Sequence, residues 1–400
     1  MKNLLSFLPA LLLSVNNLCA QGAWTQKNNF PSTYREGPAG FVIGEKAYMG
    51  TGYFSGTCLN DFWEYDPVAD AWSQKANFPG VVRNAAAGFA IGSKGYIGTG
   101  TSCGGGTYQS DFYEYDPALN VWTPKANYGG GAMGYGIAFS IGDKGYMGTG
   151  TDSNYPVLRK DFWQYDPATD TWTQMNDFGG GERLYVVAFA IANRGYAGTG
   201  KSTSGNEKDF WEYDPDLDSW TQKTDFGGDA RWWATGFAIG HTGYLGTGMA
   251  SANTIDFWKY DPSSDVWLQK ADFGGTARID AFGFAIGDKG YIAFGNAGGW
   301  SGDVWEYTPD SIATSENNLS LTNSVLVFPN PATGKLYLRR SPANKNSRLI
   351  IYTLDGVKAL EEKISYPVIE VNIEKILPGI YFYNVNSAAS SVPGKIVILR

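Results

Sequence analysis

Short apolar runs of strand length, separated by turn residues, recur along most of the chain. One stretch shows the pattern in full: Gly88 to Gly92 (GFAIG), Gly95 to Gly100 (GYIGTG), Asp111 to Tyr115 (DFYEY) and Val121 to Lys125 (VWTPK). None of these runs carries a helical period, so each predicts a β-strand. A phrase close to Asp-Phe-Trp-Glu-Tyr-Asp-Pro then recurs at Asp61 to Pro67, Asp111 to Pro117, Asp161 to Pro167, Asp209 to Pro215, Asp256 to Pro262 and Asp303 to Pro309, with starts 50, 50, 48, 47 and 47 residues apart. Four strands per period near 50 make one propeller blade, which must stack on its neighbours to bury both faces. The first run of each unit, rich in Gly and Ala, suits the crowded innermost strand. The Asp-Pro that follows the third run is a turn, because proline lacks the donor that a central strand needs.

The ends of the array complement each other. The sixth unit stops at Pro309 without its Trp-Thr-Gln-Lys strand, and that strand stands instead at Trp24 to Lys27. Residues 23 to 28 are expected to complete blade six and close the ring, which leaves no exposed edge. The propeller is therefore expected over residues 21–310. Residues 311–323 are polar and read as a linker. Residues 324–400 hold alternating runs at Val325 to Phe328, Lys335 to Leu338, Arg348 to Tyr352, Val368 to Ile373, Ile380 to Val385 and Lys395 to Leu399, and predict a small β-sandwich. The fold class is all-β.

Composition sharpens this picture. The 14 Trp, 25 Tyr and 52 Gly suit short strands and tight turns, and every Trp precedes the linker. Residues 1–20 join Lys2 to an apolar run that ends at Ala20, the pattern of a cleaved signal peptide, and no other segment is apolar enough for a membrane helix. Residues 324–400 carry ten Lys or Arg against five Asp or Glu, a net +5, which leaves 21 against 34, or −13, for the rest of the chain. So acidic a propeller is a poor partner for nucleic acid. A single histidine, His241, excludes mechanisms that need a histidine pair. No cofactor or metal is expected.

The glycine pair after the second run, the Tyr of the phrase and the Trp seven residues later (Tyr65 and Trp72, Tyr115 and Trp122) resemble the kelch repeat, with the glycines here spaced as Gly-Thr-Gly. That resemblance implies a six-bladed kelch β-propeller. It also implies that ligands sit on the face formed by the loops entering each inner strand and the loops between second and third strands. The copper oxidases of this fold use histidine ligands that this chain lacks. The tail, with Phe328 to Pro331 (FPNP), Gly334 to Leu338 (GKLYL), Ile351 to Gly356 (IYTLDG), Leu377 to Phe382 (LPGIYF) and Gly394 to Leu399 (GKIVIL), resembles the C-terminal sorting domain of the Bacteroidetes type IX secretion system. The resemblance implies the secretion machinery as a partner and a secreted or cell-surface location. An accessory fibronectin-like module is the alternative.

Six residues before the Phe of each inner strand stands an arginine in five blades, Arg35, Arg83, Arg183, Arg231 and Arg278, with Met133 in the sixth. Rotation of the blades would set them in a ring around one channel mouth, where they either bind an anionic group or organise the loops through carbonyls and carboxylates. Residues that break the repeat are better candidates for specificity: Trp232, Trp233, Tyr135, Tyr185 and Trp300, with Tyr53, Phe54, Tyr108 and Tyr155. Rings beside polar donors suit the face and edge of a sugar, and they also serve as packing caps. Cys58 and Cys103 fall in the same loop of adjacent blades and are expected to form a disulfide, the alternative being two unrelated small residues. The expected function is non-catalytic binding of a carbohydrate or protein. The competing class is a sugar epimerase or mutarotase of the sialic-acid type, with Glu36, Glu182 and Glu207 as candidate acids, and a third is a structural envelope protein.

Overall fold

The computed structural model describes residues 22–103, 106–152, 157–310, 325–340, 347–353, 356–364, 368–387 and 391–399. The expected signal peptide (1–20), the linker (311–323) and Tyr155 lie outside the described residues. The chain divides into two compact units, Met1–Ser311 and Ile312–Arg400.

Six four-stranded antiparallel sheets make up the first unit. In the first blade they run from the inner strand Ala39–Ile43 through Lys46–Gly50 and Phe62–Asp66 to the outer strand Ala71–Lys75. The inner strands Ala39–Ile43, Ala87–Ile91, Ile137–Ile141, Val187–Ile191, Thr235–Ile239 and Phe282–Ile286 adjoin one another in a closed cycle, the geometry of a propeller. Closure uses the strand Ala23–Lys27, which pairs antiparallel with Val304–Thr308 so that Trp24 faces Tyr307. Trp24 also packs edge-on against Phe257 and Phe273, at 4.9 and 5.1 Å between ring centroids.

Aromatic rings hold neighbouring blades together. Phe62, fully buried in blade one, lies 4.9 Å from both Tyr115 and Trp122 of blade two, and Phe112 meets Tyr165 and Trp172 in the same way at 5.0 and 5.1 Å. Such edge-to-face pairs add to the burial of large apolar surface at every blade junction. The glycine that opens the second strand has a matching reason: a β-carbon on Gly95 would come within 1.9 Å of the Phe41 ring of the preceding blade.

Residues 325–399 form seven strands whose hydrogen bonding runs continuously, Lys358–Ile364, Ser347–Tyr352, Gly379–Ser387, Ser391–Leu399, Val325–Thr333, Lys335–Arg340 and Val368–Asn372. The expected sandwich is present as two halves around one core, with Leu336, Leu338 and Val371 from one and Leu349, Ile351, Val385, Ile396 and Ile398 from the other. The halves are nevertheless joined, because Val325–Thr333 pairs antiparallel with Lys335–Arg340 and then, at Ala332 and Thr333, parallel with the last strand. The strand Lys358–Ile364 escapes a hydrophobic-pattern reading because its sequence KALEEKI is charged at the centre. Among the described residues, no helix is long and apolar enough to cross a membrane.

Candidate functional site

The five repeat arginines lie inside the loops and are almost wholly buried. Arg35 Nη1 and Nη2 donate to Asp61 Oδ1 and Oδ2, both at 2.7 Å, and further to the carbonyls of Thr33 and Thr51. Arg83, Arg183, Arg231 and Arg278 grip Asp111, Asp209, Asp256 and Asp303 in the same bidentate manner. Each guanidinium also covers a Phe ring, as Arg231 does over Phe226 at 4.8 Å. In blade three, where Met133 replaces the arginine, Arg159 enters from the other loop and grips Asp161 at 2.8 and 2.7 Å. Burial alone would push the Asp256 carboxyl up, but Arg231 more than offsets it and holds the group below its usual range. The expected ring of ligand-binding arginines is thus corrected: these cations are neutralised within their own blades and organise the loops.

The mouth of the channel is formed by the residues two places after that arginine position. Gly37, Ala85, Tyr135, Tyr185, Trp233 and Asp280 all adopt left-handed backbone conformations, with φ of 58°, 54°, 62°, 60°, 53° and 54°. They are strung together by main-chain bonds: Gly37 N donates to Asp280 O (3.1 Å), Ala85 N to Gly37 O (3.3 Å), Tyr135 N to Ala85 O (3.1 Å), Tyr185 N to Tyr135 O (3.2 Å) and Asp280 N to Trp233 O (3.1 Å). Below this collar lies a channel of about 530 Å³ lined by the inner strands, Gly88, Phe89, Ala90, Ala138, Phe139 and Ser140 among them.

The collar is asymmetric. On one half, Tyr135, Tyr185 and Trp233 form a continuous crescent, with ring centroids 4.8 Å apart for the first pair and 4.6 Å for the second. Trp232 stacks on Trp233 at 3.9 Å, and Lys201 Nζ lies 4.2 Å from the Trp232 ring centroid. The other half carries the two smallest residues, Gly37 and Ala85, with Glu36 and Asn84 immediately before them in the chain. Asp280 stands at the boundary. The residue is half-buried, and the desolvation of its carboxyl, with the charge of Glu36, pushes it up to about 7. Burial, reinforced by the nearby charges of Asp280 and Glu36, likewise pushes the Tyr135 hydroxyl up to about 12.

The structure therefore brings Tyr135, Tyr185, Trp232 and Trp233 together and sets Trp300 apart, where it packs on Phe54 at 5.0 Å and Tyr53 at 6.2 Å. Cys58 and Cys103 form a disulfide between the loops of blades one and two, with Cys58 Sγ 3.8 Å from Asn84 Oδ1. It ties the two loops that border the open half of the collar. Of the three acids proposed from sequence, only Glu36 lies beside another mouth carboxyl; Glu182 is exposed, and Glu207 accepts a hydrogen bond from Ser202. Asp280 escaped the sequence reading. Its signal was a polar residue at the repeat position that holds Tyr or Trp in three other blades.

The sequence matches the family model of the secretion system C-terminal sorting domain over residues 326–399. The chain thus ends in a type IX sorting signal and is exported to the cell surface or the extracellular space. No curated protein matches the sequence. Among solved structures the chain is similar to the one titled "Structure of YjhT", with a TM-score of 0.62 and 14% identity over 72% of this chain and 98% of that one. That likeness is one of fold.

Proposed function

We propose that the propeller is a non-catalytic binding module of the kelch type that holds a carbohydrate at the mouth of its channel. The observation that carries this reading is the crescent Tyr135, Tyr185 and Trp233, which occupies a repeat position where two other blades have only Gly37 and Ala85. Packing of the repeat does not require bulk there, since the small residues hold the same left-handed backbone. Flat apolar faces next to Asn84, Glu36 and Asp280 offer a sugar ring both stacking and hydrogen bonding. Glycan-array binding of the full chain, compared with Tyr185→Ala and Trp233→Ala, tests the reading. Loss of binding in both variants is expected, and unchanged binding in both overturns it. The Ala variants should fold, because Ala85 already occupies this conformation at φ 54°.

A second reading, a sugar epimerase or mutarotase, draws support from one observation. Asp280, with its carboxyl raised to about 7 beside Glu36, has the proton affinity that suits general acid–base work near neutrality. Interconversion of sugar anomers followed by NMR, with Asp280→Asn as the control, distinguishes the two; a rate equal to that of buffer removes the enzyme.

A further inference from the structure

We propose that the sugar taken at this mouth carries a protonated primary amine, seated over Gly37 and Ala85 between Asp280 and Tyr135, so that a glucosamine-type residue is preferred to its neutral N-acetyl form. The inference rests on the binding reading above and adds the chemical class of the ligand.

Charge at the collar is the first ground. Asp280 and Glu36 come from blades six and one, whose loops join where Gly37 N donates to Asp280 O, and neither forms an ion pair with any described residue. The cations closest to them in the chain are already engaged, Arg35 with Asp61 and Arg278 with Asp303. Lys201 lies against Trp232, at the crescent's far end. A carboxylate enclosed without a partner is costly, and a cation delivered by the ligand removes that cost. An anionic sugar would meet two like charges here instead.

Shape is the second ground. A β-carbon on Gly37 would lie 2.9 Å from Asp280 Oδ2, so the glycine leaves the carboxylate room to lie over the open half. Burial and, after it, the negative charge of Asp280 raise the Tyr135 hydroxyl, so the field of the acid reaches across the mouth. Aromatic faces beside carboxylates attract an ammonium through the ring quadrupole as well as through charge. The amine would meet Asp280 and Glu36 while the sugar ring stacks on the crescent.

The test is calorimetric titration of the full chain, near neutral pH, with a fully deacetylated glucosamine hexamer and with the N-acetylated hexamer of equal length. We expect the deacetylated oligomer to bind at least about tenfold more tightly, and Asp280→Asn to abolish that preference. Equal affinities, a preference for the acetylated form, or a preference that survives Asp280→Asn each overturns the inference. If both oligomers bind equally and both are lost in Trp233→Ala, the amine is refuted and carbohydrate binding stands. If neither binds, both proposals fail for this class of sugar.

Discussion

Gly37 and Asp280 meet across the closure of the ring: the amide of Gly37 donates to the carbonyl of Asp280 at 3.1 Å, and the Asp280 carboxylate reaches within 2.9 Å of where a Gly37 β-carbon would stand. One blade thus gives up its side chain so that the preceding blade can place an acid at the channel mouth.

Gly37→Ala should therefore disturb the site more than the fold. The left-handed backbone costs an alanine about 1 kcal/mol, and Ala85 shows that the collar tolerates it. We expect chemical denaturation to report a loss near that size, together with weakened ligand binding as Asp280 is displaced. Ala85→Gly should show neither loss.

The Asp280 carboxyl rises from an ordinary 3.8 to about 7 in the folded protein. Below about pH 4 it is protonated in both states and contributes nothing. Between the two values the unfolded chain releases the proton while the native state keeps it, so stability falls as pH rises, and the loss is complete above about pH 7. A shift of this size corresponds to at most about 4 kcal/mol, less because the residue is only half-buried. Asp280→Asn should accordingly raise the melting temperature at about pH 8 and leave it unchanged at about pH 4.

Arg231→Met strands Asp256 in a half-buried site with no cation. Breaking a buried pair on one side costs about 3–5 kcal/mol. The melting temperature should drop by several degrees, whereas a change confined to ligand affinity would mean that Arg231 faces the ligand.

The Cys58–Cys103 bridge spans a sequence separation of 45 residues. Closing a loop of that length removes about 4 kcal/mol of unfolded-chain entropy in the chain-entropy account. Cys58→Ser with Cys103→Ser should lower the melting temperature, and a reductant should have no further effect on the double variant.

Trp24→Ala removes the ring that the closing strand inserts among Phe257, Phe273 and Tyr307. A loss of about 3–5 kcal/mol is expected for such a truncation. If denaturation is unchanged, the N-terminal strand does not close the ring.

By itself the sequence determined whatever repeats or lies close along the chain: six blades, strands set by their apolar alternation, a closing strand at Trp24 that supplies what the sixth unit lacks, and a tail with its own sorting motifs. It also identified the aromatics Tyr135, Tyr185 and Trp233, because they break a repeat that can be read by eye. Two things were decided only by the tertiary structure. Whether an arginine is free or engaged depends on what the fold sets against it, and Arg35, Arg83, Arg183, Arg231 and Arg278 each meet an aspartate of their own blade. That the loop of Glu36 and Gly37 meets Asp280 follows from ring closure, which brings the first and last blades together and desolvates a carboxyl whose neighbours along the chain give no sign of it.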